Sequence, residues 1–210
     1  MVDSIVMASN TTSASPARRG PGRPRSDEAR QAILASTLAL LKQVGFHDLS
    51  IEGIAAHAGV GKATVYRWWP NKAALVIDAF VETIGPELRF QKDTPVREAI
   101  HQQMRRVIRL MRGEFGEILA AIIGAGQSQP EMVEAVRKHW IEPRRKEARE
   151  LVSRAQERGE LRSDIAADTI LDILYGPLYF RLLVGHSRID GQLVDAIFNI
   201  AERGITSSGR

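Results

Sequence analysis

Three small or apolar residues at fixed distances, Ala55, Gly59 and Val65, constrain this chain more than any other feature of its sequence. They lie within SIEGIAAHAGVGKATVYRWWPNKAAL, residues 50–75. Ala55 is small where two helices must cross closely. Gly59, four residues on, supplies the left-handed backbone that a tight inter-helix turn needs and that a side chain would penalise. Val65, ten residues after Ala55, is an apolar peg that fastens the second helix to the first. The spacing is that of a helix-turn-helix.

An ordinary helical hairpin can carry the same three residues, so the flanks decide. A basic segment containing Pro and Gly lies upstream, an amphipathic helix leads in, and the second helix keeps one polar face. With those flanks the second helix is expected in the DNA major groove. Charge agrees: Arg18 to Leu75 holds nine Lys/Arg against four Asp/Glu, a net +5 in a chain whose total is +4. Positive charge gathered on the reading head is the footprint that phosphate requires.

Residues 1–25 read as a disordered tail with a basic arm. The first 17 are rich in Ser, Thr, Ala and Asn and show no periodicity. ARRGPGRPR follows, bringing Arg18, Arg19, Arg23 and Arg25 with no carboxylate. Its prolines hold the strand extended and its glycines permit close approach. Two readings stay open for it: an AT-hook-like arm in an A·T-rich minor groove, or a solvated tail with non-specific phosphate contacts.

Residues 26–72 form the reading head. Ser26 is the expected N-cap of a first helix carrying Ile33, Leu34, Thr37, Leu40, Leu41 and Val44 and ending at Gly45. Ser50 caps the second helix, the reading helix runs from about Lys62 to Trp69, and a fourth extends from Asn71 to about Ile84. Residues 73–210 form a larger helical domain, with helices expected over Thr94–Met111, Glu114–Ile123, Pro130–Arg158, Asp164–Val184 and Gln192–Ile205. No alternating strand pattern occurs, so the fold class is all-α.

On the reading helix, Val65 and Trp69 are four apart and point inward, while Lys62, Ala63, Tyr66 and Arg67 share the opposite face. Arg67 can donate two bonds to a guanine edge. Thr64 and Tyr66 suit phosphate or base, and Ala63 leaves room for a thymine methyl.

Taken together, the lead helix, Phe46, Leu49, Ser50, IAAHAGVGKATVYRWW and NKAAL resemble the TetR/AcrR-type transcriptional regulators. RGELRSDI (158–165) and LYGPLYFRLLVGH (174–186) are similar to one C-terminal variety within that family. The resemblance implies a homodimer whose heads bind a palindromic operator in double-stranded DNA, and larger domains that dimerise and hold a small effector. It places Lys62, Ala63, Thr64, Tyr66 and Arg67 against DNA and makes Lys72 a phosphate anchor. Ser50 would add its N-terminal amides to a phosphate. The chain departs from the family at Gly61, where Ser is common, and at Trp68, where His or Tyr is common; the Trp68 indole still offers one donor to phosphate.

In the larger domain, Ile165–Val184 is apolar all round and must be covered all round. One side is expected on its own domain and the other on a second copy, with residues 192–205 supplying a second interface helix; Tyr179 and Phe198 are candidate interface residues. Gly176-Pro177 should bend the first of these helices. Met104, Ile108, Met111, Phe115, Ile122, Trp140, Tyr175 and Tyr179 are candidates to line an effector pocket, or to be plain core. Arg181 would anchor an anionic effector or pair with a carboxylate.

Other chemistry is poorly supported. There is no cysteine, and the five histidines lack metal-ligand spacing. Asp168 and Asp172 read as a solvated helix face rather than an acid/base pair. No apolar run reaches the roughly 18 residues of a membrane span, and no signal peptide pattern opens the chain, so a cytoplasmic location is expected. The expected function is a repressor released from DNA by an unidentified small-molecule effector, with no other cofactor. An architectural DNA-binding protein without an effector, or an activator of the same fold, are the alternatives.

Overall fold

The computed structural model describes residues 24–91 and 94–205, and among these ten α-helices and no strand form the fold. Helix α1 spans Pro24–Asp48. It begins two residues before the expected cap, because proline suits the first helical turn, where an amide hydrogen has no partner to lose. Arg25 and Ser26 therefore belong to the helix, not to an arm and a cap. Arg18, Arg19 and Arg23 lie outside the described residues. Regular geometry breaks at Gly45 (φ 71°, ψ 174°), where the sequence ends the first helix, and one further turn reaches Asp48.

Helix α2, Ile51–His57, starts at Ser50, whose Oγ accepts from the Gly53 amide at 3.1 Å. Gly59, at φ 67°, turns the chain into α3, Lys62–Tyr66. This helix is shorter than expected, although the Trp69 amide still reaches the Val65 carbonyl at 3.0 Å. Asn71 caps α4, Lys72–Ile84, through its Oδ1 and the Ala74 amide. Residues Ala73 to Ile77 and Ala79 are buried. Helix α4 packs on α1 on one side and on the second half of the chain on the other. The expected boundary between residues 72 and 73 thus falls at the start of a helix that both halves share.

A 3-10 turn (Gly85–Leu88) leads to α5 (Val96–Met111) and α6 (Glu114–Ala125). The long helix expected from Pro130 is three pieces: α7 (Pro130–Val136), a π turn (Arg137–Ile141) and α8 (Glu142–Glu157). Pro143 explains the change. It has no amide hydrogen, and its ring would crowd a carbonyl four residues back, so the preceding turn widens.

Helix α9 (Ala167–Val184) runs on through Pro177 and ends at Gly185 (φ 67°); α10 (Gly191–Ile205) packs on α5 and α9. The inner side of α9 is Ile170, Leu171, Leu174 and Leu178. Its outer side leaves Ile173, Phe180, Leu183 and Val184 exposed, and Ile200 on α10 is 77 % exposed. Tyr179 and Phe198 face inward, so neither belongs to this outer apolar face: Tyr179 bonds within the domain and Phe198 is buried.

Candidate nucleic-acid interface and effector cavity

The reading helix has five residues and no side-chain cap, since Gly61 occupies the N-cap position. Glycine there costs only a few tenths of a kcal/mol relative to a capping side chain. Two anchors outweigh that loss: Val65 is 0 % and Trp69 1 % exposed, and burying one apolar side chain of this size contributes about 1.5–3 kcal/mol. Held this way, the helix presents Lys62, Ala63, Tyr66, Arg67 and Trp68 outward, with Thr64 half-buried. Lys62 pairs with Glu52 of α2 at 2.7 Å, which draws the Glu52 carboxyl below its ordinary range. The Trp68 and Trp69 rings lie 6.2 Å apart and tilted. Trp69 turns its indole inward, donating to the Asp78 carboxylate at 2.9 Å.

Lys72 is differently employed. Its ammonium donates to the carbonyls of Phe46, His47 and Leu49, each at 2.9 Å, and lies over the Phe46 ring. All three protons hold the turn between α1 and α2. Partial burial lowers its pKa, with the Asp48 charge acting in the opposite sense.

A partly open cavity of about 70 Å³ lies between α5, α8 with the π turn, and α9. Trp140, Tyr175 and Tyr179 from the sequence-derived set line it. Met104, Ile108, Met111, Phe115 and Ile122 do not; they are buried core, with the Phe115 ring 4.5 Å from Trp140 and backing it. The wall includes residues that the sequence reading missed, among them Gln103, Val107, Arg144 and Leu171. One signal was present: Trp140 and Arg144 are four apart, the spacing that puts side chains on one helix face. Arg181 instead donates to the Arg188 carbonyl. Asp168 and Asp172 are held by Arg145, and Asp168 also by Arg149.

The π turn links cavity and head. Trp140 donates to the Tyr179 hydroxyl at 2.8 Å inside the cavity. Its neighbour His139 meets Asp78 on α4 at 3.0 Å, and Asp78 is the same carboxylate that accepts from Trp69. Burial raises the Asp78 pKa, but hydrogen bonds from His139 and Trp69 and the charges of His139 and Arg30 outweigh it, leaving the group below its ordinary value.

Residues 33–79 match the family of bacterial regulatory proteins, tetR family, and residues 93–201 match a tetracyclin repressor-like C-terminal domain. The chain belongs to the TetR family. It is similar to the uncharacterized HTH-type transcriptional regulator YdeS of Bacillus subtilis, at 31 % identity over 89 % of this chain and 94 % of that protein. Similarity to the DNA-binding transcriptional repressor TetR of Mycobacteroides abscessus is 28 %, over 85 % of this chain and 96 % of that one. The crystal structure of the TetR family transcription regulator SCO0332 superposes with a TM-score of 0.75 at 32 % identity, covering 84 % of this chain and 98 % of that one.

TetR-family membership makes this chain a DNA-binding transcription regulator, not an enzyme. Lys72, which the resemblance makes a phosphate anchor, donates to three backbone carbonyls. Ser50, implied to present backbone amides to a phosphate, has its hydroxyl bonded to one of them. No helix among the described residues is long and apolar enough to cross a membrane.

Proposed function

We propose that this TetR-family regulator is a homodimeric repressor that a small molecule releases from a palindromic operator. One observation carries the reading: a cavity whose Trp140 is adjacent in the π turn to His139, joined through Asp78 to Trp69 at the end of the reading helix. A ligand that displaces Trp140 must move its neighbour, and with it the contact that orients the head on α4. The change at DNA equals the ligand's differential affinity for the two arrangements. The outer apolar faces of α9 and α10 support a second copy as their cover, and the Mycobacteroides abscessus relative named as a repressor supports repression.

Selection of DNA fragments by the purified full chain tests this reading. An inverted repeat is expected, with half-site centres about 34–36 Å apart or somewhat more. Fragments sharing no repeat, or a specific affinity hardly above the non-specific one, would replace it with an architectural role.

A further inference from the structure

The cavity offers a cation and a hydrogen-bond donor that nothing within it answers. Arg144 lies flat against Trp140, its guanidinium carbon 3.7 Å from the ring centroid, and its Nη1 donates to the Trp140 carbonyl at 2.9 Å. Its Nε is buried without a partner. Neighbouring Arg145 and Arg149 are neutralised by Asp168 and Asp172, but among the described residues no carboxylate pairs with Arg144. Glu147, whose field favours the Arg144 charge, accepts from the Phe90 amide instead. Burial lowers Arg144 to about 10, so it still carries its charge at neutral pH. Removing a cation from water without a counter-ion is costly, and an unpaired buried guanidine nitrogen demands a reason.

The tyrosines complete the pattern. The Tyr175 hydroxyl donates to Gln103 Oε1, so its proton is spent. Tyr179 accepts from Trp140, so its own proton has no acceptor among the described residues. Burial raises both hydroxyls above their ordinary pKa and keeps them protonated. The remaining wall is apolar at Val107, Ile141, Ala148 and Leu171, and its one further charged side chain, Arg145, is paired with Asp168 and Asp172. Arg144 also borders an outer groove, where Glu82 and Glu147 offset the charges of Arg89 and Arg144 and leave no excess of positive charge for an anion.

We propose that the cavity binds a small, planar monocarboxylate, its carboxylate on Arg144 and Tyr179 and its apolar body along Val107, Ile141, Ala148 and Leu171. A single negative charge matches the single unanswered cation, and an aromatic or conjugated body suits walls of Trp140 and two tyrosines. The assignment rests on the effector reading above only for its consequence at DNA.

The test is calorimetric titration of the full chain with trans-cinnamate and with cinnamamide, which has the same shape without the charge. Cinnamate should bind at least about tenfold more tightly than the amide, a difference that one charge-assisted contact supplies. Arg144→Gln should abolish that preference. Arg144→Lys should keep part of it, and Tyr179→Phe should reduce it while leaving the fold intact, so the outcome does not hang on a single variant. Equal binding of acid and amide, cinnamate binding indifferent to Arg144 and Tyr179, or no cinnamate binding at millimolar concentration would each overturn the assignment. Release of the selected operator separates the two readings. If cinnamate binds through Arg144 and leaves DNA bound, the carboxylate site stands and ligand release falls. If the amide releases DNA without need of Arg144, release stands and the carboxylate site falls.

Discussion

Asp78 joins two tryptophan-bearing segments: it accepts from Trp69 Nε1 at 2.9 Å and meets His139, the residue before Trp140, at 3.0 Å. One carboxylate on α4 therefore fixes both the end of the reading head and the π turn above the cavity. Replacing it should expose what each contact contributes. Asp78→Asn should lower stability by about 1–3 kcal/mol, the range for a buried partner lost from a charged hydrogen bond. If His139→Ala and Trp69→Phe are not independent, a double-mutant cycle on operator affinity should show coupling above about 0.5 kcal/mol. Additive effects would remove the proposed link.

The same carboxylate sets an acid limit. Its folded pKa lies below the ordinary value, so its stabilisation is complete above about pH 4 and disappears as pH falls through the lower, folded value. Thermal melts of wild type and Asp78→Asn should therefore converge in acid and separate near neutrality. A constant gap across that range would locate the acid sensitivity elsewhere.

Arg67 is exposed and its side chain makes no bond among the described residues. Arg67→Ala should therefore leave the melting temperature almost unchanged while costing about 1–3 kcal/mol at the selected operator and relaxing preference at one base pair. Unchanged base preference would show that Arg67 does not read the groove.

Lys72 should behave in the opposite way. Lys72→Ala removes a charged donor from three carbonyls, so stability should fall by about 1.5–3 kcal/mol. Affinity should drop on every DNA sequence as the turn between α1 and α2 loosens. A variant with native stability and a weaker salt dependence would instead mark Lys72 as a direct phosphate contact.

Phe180→Glu and Ile200→Glu place charges on the outer faces of α9 and α10 without touching the core. Light scattering should show a shift from dimer towards monomer at micromolar concentration. Tyr179→Phe, on the inner side, should leave the assembly state alone. A wild-type chain that is monomeric at that concentration would refute the dimer.

The head was legible from sequence because its constraints are local: Ala55, Gly59, Val65 and the Ser50 cap act within a few residues. The outer face was legible only in part. A helix apolar all round, like α9, has no phase, so sequence alone could not choose between Tyr179 and Phe180, about 100° apart. On α10 the exposed apolar residue is Ile200, two positions from Phe198, which is buried. The cavity was harder still. The π turn before Pro143 resets the helical register, turning His139 to α4 and Trp140 to α9, and regular periodicity cannot anticipate that. The Lys72 clasp was hidden for another reason: its acceptors are backbone carbonyls over twenty residues away, whose position depends on a turn and not on any side chain.

The anchoring of the reading helix has a consequence for how such a regulator changes over generations. Val65 and Trp69 secure α3 from beneath, and no cap at Gly61 ties its outer residues to the fold. Ala63, Tyr66 and Arg67 thus carry little folding duty, and Lys62 only an exposed pair with Glu52, so all four can be exchanged at little thermodynamic expense. Duplicated copies of this gene can therefore vary at these few exposed positions, while the scaffold beneath is inherited whole.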